Sequence, residues 1–191
     1  RFHTQTGGVT LTAQQAGNNV VRVAYQALAA VLGGTQSLPT NSWDEALALP
    51  SPPAVLTALR TQQIIAHESG VAESVDPLAG SYLVESWTDR IEEQAAALIA
   101  TIDEAGGAVR AIEQKIPQRI IEDSSYRYQR EIEDGARKIV GLNCYREEAR
   151  PAYKIFKVNP AAEATQRARL EKVIAGRDGA AVDAALKRLK G

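Results

Sequence analysis

The chain has 191 residues, with Lys+Arg 22 against Asp+Glu 23, a single cysteine and no methionine. That charge balance argues against a nucleic-acid or membrane-surface partner, and no apolar run approaches the ~20 residues needed to span a bilayer. The lone Cys144 excludes an internal disulfide framework and a cysteine-built metal site, and it fits a reducing, cytoplasmic setting. No signal peptide is visible, and the start at Arg1-Phe2-His3 reads as a cut edge.

In chain order, Phe2–Thr6 reads as a short strand stopped by Gly7-Gly8. Leu11 to Leu32 follows as a helical pattern. Val20, Val21, Ala24, Leu28, Val31 and Leu32 recur at helical spacing, Arg22 and Gln26 face elsewhere, and Gly33-Gly34 ends it. Thr35–Leu38 is the next predicted strand. The chain then turns polar and is expected to become helical at Asp44. Ser51-Pro52-Pro53 opens a helix to about Glu68, with proline tolerated in the first turn. Val71–Val75 is a third predicted strand. A long helix, Ser81 to Glu104, is expected to turn Trp87, Ile91, Leu98 and Ile102 inward. Ala108–Gln114 and Pro117–Glu133 are further helices, and Ile139–Cys144 is another predicted strand. Tyr153–Val158 reads as an extended segment, followed after Asn159-Pro160 by Ala-rich, charged helices. Strands alternating with helices imply a parallel sheet with helical crossovers.

Few residues carry the means for chemistry. Asn41 and Glu45 are four apart, so in a helical turn starting near Asn41 they share a face and can hold hydroxyls such as those of a ribose. The plainer reading is a helix cap followed by a first-turn acid. His3 and Gln5 are two apart on a strand and face the same way. At the C-terminal end of a barrel strand that face binds and catalyses; in a polar barrel core the same pair is merely satisfied. His67 reads as a surface cation at a helix C-terminus. Tyr126-Arg-Tyr-Gln-Arg130 reads as a solvated helix face with buried tyrosine rings. No Ser/His/Asp constellation and no metal-ligand spacing is evident.

Several blocks agree in order with one family. Arg1-Phe-His-Thr-Gln-Thr-Gly-Gly-Val-Thr-Leu-Thr-Ala-Gln-Gln15, Asn18-Asn19-Val20, Leu32-Gly-Gly-Thr-Gln-Ser-Leu38, and Thr40-Asn41 with Asp44-Glu-Ala-Leu-Ala-Leu-Pro50 resemble the methylmalonyl-CoA mutase family. Thr61-Gln-Gln63, His67-Glu68, Asp76-Pro-Leu-Ala-Gly-Ser-Tyr82 and Tyr126–Arg130 continue the likeness. The resemblance implies an α/β fold: residues 1–145 as the second part of a (β/α)8 barrel, with about three parallel strands. Residues 146–191 would be a C-terminal extension of extended segment and helices.

It implies an adenosylcobalamin-dependent acyl-CoA mutase, an isomerase acting by Co–C homolysis, hydrogen abstraction and 1,2-migration. Gln5 would contact the corrin, Asn41 and Glu45 the ribose of the adenosyl group, and Ala46 and Leu49 would neighbour the corrin. His3 and Gln36 would line the substrate site, His3 not being the family's carbonyl-binding histidine. The implied partners are an acyl-CoA, the remaining barrel half, and a cobalamin-binding domain or small subunit, in an oligomer. The alternative is a non-catalytic assembly subunit retaining the fold.

Two departures flank the pocket. Ala16-Gly17 stands where the family commonly has Pro-Tyr, and Pro39 where it commonly has His. Proline stiffens its loop and removes a polar contact, which favours an acyl group less polar than methylmalonyl while Asn41, Glu45 and Gln5 keep one cleft.

Overall fold

The computed structural model describes residues 1–148 and 153–190. Two compact units make up the chain, Arg1–Ile155 and Phe156–Gly191. The extension expected at 146–191 therefore includes residues 149–152, which lie outside the described residues.

In the first unit the helices are α1 (Asn19–Leu32), α2 (Pro52–Glu68), α3 (Tyr82–Glu104), α4 (Ala108–Glu113) and α5 (Ile116–Glu133). Their limits follow from local chemistry. α1 ends where Gly34 adopts φ 80° and Thr35 N–H reaches back to the Ala30 carbonyl at 3.2 Å, closing the last turn. α2 starts on extended Ser51 with prolines at its first positions, where missing N–H groups leave no bond unmade. Gly70, Gly106 and Gly135, all at positive φ, follow α2, α3 and α5. The second unit holds α6 (Ala162–Ala175) and α7 (Gly179–Lys190). No helix among the described residues is long and apolar enough to cross a membrane.

Phe2–Thr6 and the segment after α1 lie side by side in parallel. Gln36 N–H bonds the Phe2 carbonyl at 3.2 Å, Thr4 N–H the Ser37 carbonyl at 3.1 Å, and Thr6 N–H the Pro39 carbonyl at 3.3 Å. The residues bridge at His3 and Ser37. This is the expected strand–helix–strand crossover, with α1 as the connection.

The rest of the expected sheet is not present among the described residues, and this corrects the reading of about three parallel strands. Val71–Glu73 is a 3-10 turn, with Glu73 N–H bonded to the Gly70 carbonyl at 3.1 Å. Ile139–Cys144 is a hooked turn about Gly141, φ 83°, organised by Asn143, which takes Ile139 N–H at 2.7 Å and donates to the Ile132 and Arg137 carbonyls. A strand's N–H and C=O groups need a neighbouring strand; without one, local bonds satisfy them instead. The first helix also starts later than expected: Ala16–Asn18 is a 3-10 turn, and α1 proper begins at Asn19.

The core sits where α1 crosses α2. Val23 and Ala27 of α1 and Ala54, Ala58, Thr61 and Ile65 of α2 are buried. Small side chains let the two backbones approach closely. Trp87 and Ile91 of α3, expected inward, are 59% and 66% exposed, and Leu98 is exposed too. Tyr126 and Tyr128 of α5 are likewise exposed, not buried, and Arg137 lies over the Tyr128 ring.

Candidate functional site

The expected helix at Asp44 is a set of turns over Trp43–Leu47, ending before Pro50. Glu45 is therefore not the first-turn acid of a helix, and the four-residue helical spacing of Asn41 and Glu45 does not bring them together. They converge nevertheless. A Cβ built on Gly8 would lie 3.0 Å from Asn41 Nδ2 and 3.1 Å from Glu45 Cδ. Both side-chain ends thus meet over one glycine, which has no side chain to displace them.

Asn41 and the loop that carries it are held. Gln5 Nε2 donates to Asn41 Oδ1 at 3.2 Å, and Asn41 N–H donates to Thr6 Oγ1 at 2.9 Å. Thr40 Oγ1 donates to the Ala58 carbonyl and accepts from Gln62 Nε2, both at 2.8 Å, tying the loop to α2. At the far end, Asp44 Oδ2 takes Ser51 N–H at 3.0 Å and its hydroxyl at 2.7 Å, so the carboxylate sits at the start of α2, where the helix dipole favours it. Between these anchors, Asn41 is only 7% exposed, and its Nδ2 has no hydrogen-bond partner among the described residues. A buried amide donor left unpaired is costly.

The polar face of α1, which the sequence pattern placed away from the apolar side, builds the other wall. Gln26 accepts Gly7 N–H and donates to Thr10 Oγ1, both at 2.6 Å, holding the glycine turn Gly8–Thr10. Asn19 is fully buried and fully satisfied. Its Oδ1 takes Thr12 N–H at 3.1 Å and Arg22 at 2.7 Å; its Nδ2 donates to the Thr12 carbonyl at 2.9 Å and the Trp43 carbonyl at 2.8 Å. Asn19, at the start of the helical pattern, reads as a cap or an interruption, and Gln26 as an amide facing away from the apolar positions, so neither drew a functional reading. The available signal was their spacing, which places both on the helix face that carries Arg22.

Of the other candidates, Leu49 joins Asn41 and Glu45 on a cleft of about 620 Å³ between the loop and α2, lined also by Pro39, Val55 and Leu59. Pro39 thus sits on the same cleft in apolar company, and Gln5 reaches its Asn41. Ala46 is exposed and does not line this cleft. His3 is exposed, with Nδ1 2.6 Å from Ser37 Oγ across the bridged pair. Gln36 stands apart from the Asn41 group: it takes Phe2 N–H at 2.7 Å and donates to the Gly34 carbonyl at 2.6 Å. His67 lies exposed in the last turn of α2.

A parallel strand–helix–strand unit that places polar side chains from the loop after its second strand against a glycine turn after its first is an α/β crossover arrangement. Residues 1–191 match the family model described as methylmalonyl-CoA mutase, and the chain belongs to that family. It is 50% identical over 190 residues to methylmalonyl-CoA mutase of Escherichia coli, covering 99% of this chain and 27% of that protein. It is 47% identical to methylmalonyl-CoA mutase of Cereibacter sphaeroides, again covering 99% of this chain and 27% of that protein. To the 2-hydroxyisobutanoyl-CoA mutase large subunit of Aquincola tertiaricarbonis it is 43% identical, covering 99% of this chain and 34% of that protein. The chain thus spans about a quarter to a third of the length of the relatives it matches.

Proposed function

We propose that this chain forms the later part of the (β/α)8 barrel of an adenosylcobalamin-dependent acyl-CoA mutase, an isomerase that rearranges the carbon skeleton of an acyl-CoA. The relatives named as acyl-CoA mutases support the reaction class. The observation that carries the site is the convergence of Asn41 and Glu45 over Gly8, with a buried amide donor awaiting an acceptor. The remaining barrel strands, a cobalamin-binding domain or small subunit, and a second protomer are the proposed partners.

The residues present fit the ribose of an adenosyl group. A vicinal diol donates and accepts at once. Glu45 offers two acceptor oxygens, Asn41 Nδ2 offers the free donor, and Gly8, having no side chain, lets the two ends meet. Adenosylcobalamin, when bound, supplies the radical chemistry of the rearrangement. The chain's own part is to hold and orient. Asn41, steadied by Gln5 and Thr6, would donate to a ribose oxygen, and Glu45 would accept from a hydroxyl. Ala46, Leu49 and Gln5 would neighbour the corrin. The apolar wall of Leu49, Val55 and Leu59 would keep water from the reacting centre. His3 and Gln36 would line the acyl-CoA side.

The test is Glu45→Gln in the full-length protein. A charge-assisted hydrogen bond contributes roughly 1.5–3 kcal/mol, so adenosylcobalamin affinity should fall about tenfold or more while the fold persists. Wild-type affinity and wild-type turnover together in that variant would refute the role given to Glu45.

A further inference from the structure

Trp43 stands two residues before Glu45, and two groups hold it. Its carbonyl takes the Asn19 amide, and its ring packs on Tyr153, centroids 5.2 Å apart and planes inclined at 52°. Tyr153 is itself anchored, since its hydroxyl accepts Gly17 N–H at 3.3 Å. Gly17 belongs to the 3-10 turn that leads into α1. A Cβ on Gly17 would lie 4.0 Å from the Tyr153 hydroxyl, an ordinary contact, and a bulky side chain extended toward the tyrosine would press on it.

We propose that Tyr153 is a positioning residue for the Glu45 loop, and that Gly17 is the socket that seats it. The inference rests on the reading of Glu45 as a ribose acceptor. Among the described residues the loop between Thr40 and Pro50 has no ladder of backbone bonds to a neighbouring strand, so side-chain anchors set its orientation. Thr40 fixes its start, Asp44 in its middle is tied to Ser51 just past its end, and Asn19 fixes one carbonyl. These are point attachments, about which the backbone can still rotate. The Trp43–Tyr153 contact is between two planes, and planes resist that rotation. Without the tyrosine, Trp43 is free to turn, and Glu45, two residues on, leaves its place over Gly8. Tyr153 comes from a distant part of the chain, so seating of that segment and readiness of the loop are coupled.

The experiment uses the full-length protein labelled with 5-fluorotryptophan, the Trp43 resonance being assigned with Trp43→Phe. Affinities are measured in parallel for adenosylcobalamin and for methylcobalamin, which has no ribose at the upper face. Tyr153→Ala should move the Trp43 resonance and weaken adenosylcobalamin about tenfold relative to methylcobalamin, whose affinity stays unchanged. Gly17→Leu should reproduce both effects with Tyr153 intact, Gly17→Ala should be silent, and Tyr153→Phe, which keeps the ring, should fall between. Should Tyr153→Ala not fold, Gly17→Leu and Tyr153→Phe carry the same comparison. An unmoved Trp43 resonance overturns the proposal, as does equal weakening of both cobalamins. If Glu45→Gln fails to discriminate between the cobalamins, the reading of Glu45 falls by itself, and the Trp43 resonance in Gly17→Leu still decides the role of Tyr153.

Discussion

Gly8 is the residue on which the candidate site turns. It needs no unusual backbone angle; what it supplies is room, because a side chain there runs into the Glu45 carboxylate and crowds Asn41 Nδ2. The far end of a glutamate moves easily, so Gly8→Ala should cost less than about 1 kcal/mol of stability. It should still displace the carboxylate and weaken adenosylcobalamin about as much as Glu45→Gln does. Residues acting through one contact are non-additive, so Gly8→Ala with Glu45→Gln should bind no worse than either alone. Losses that add in that double variant would place Gly8 outside the Glu45 contact. Pro39 argues in the other direction, toward the substrate. It lies on the apolar side of the cleft with Leu49 and Val55, and it brings no hydrogen-bonding group of its own to that wall. The assembled enzyme should prefer an isobutyryl-type acyl group to methylmalonyl; a clear preference for methylmalonyl-CoA in substrate profiling would refute this.

Among the elements, α1 does two jobs on two faces. Val23 and Ala27 bury against α2, and Asn19, Arg22 and Gln26 tie down the loops that carry Gly8 and Trp43. The helix therefore sets the distance between the glycine turn and the Glu45 loop. Asn19→Leu would leave the Thr12 N–H, the Thr12 carbonyl and the Trp43 carbonyl without this partner in a buried setting. Orphaned groups of this kind cost about 1–3 kcal/mol each, which for three predicts a loss of roughly 3–9 kcal/mol in denaturant unfolding of the full-length protein. A loss below about 1 kcal/mol would show that water replaces the amide without difficulty.

At the scale of the whole molecule, the exposed apolar surface is the dominant fact. Trp87, Ile91, Leu98 and Ile99 of α3 and Ile120 and Ile121 of α5 are all exposed, and the parallel pair at Phe2–Thr6 has backbone edges without further strands among the described residues. Surface of this kind associates. Expressed alone, residues 1–191 should aggregate or be recovered bound to a partner that supplies the missing strands. Sedimentation of a monodisperse monomer with a cooperative melt would contradict this.

Local features decided much of this protein directly from its residues. The ends of α1 and α2 follow from Gly33-Gly34 and from Ser51-Pro52-Pro53, because caps and breakers act within a few residues of themselves. The crossover from Phe2 to Leu38 was legible as alternation of pattern, and the family was legible in its blocks. What depended on residues far apart was not. Whether Val71–Val75 becomes a strand depends on a neighbour to pair with, and among the described residues it has none. Trp87 and Ile91 carry the spacing of a buried stripe, yet burial requires an opposing surface that the pattern cannot supply. Asn41 and Glu45 were paired through a helix that does not form; they meet because Thr6, Gln5, Thr40 and Ser51 pin the loop from elsewhere in the chain. The contacts of Asn19 with Trp43, and of Tyr153 with Gly17, exist only once the chain has closed on itself, since a hydrogen bond between distant residues leaves no periodic trace in either segment.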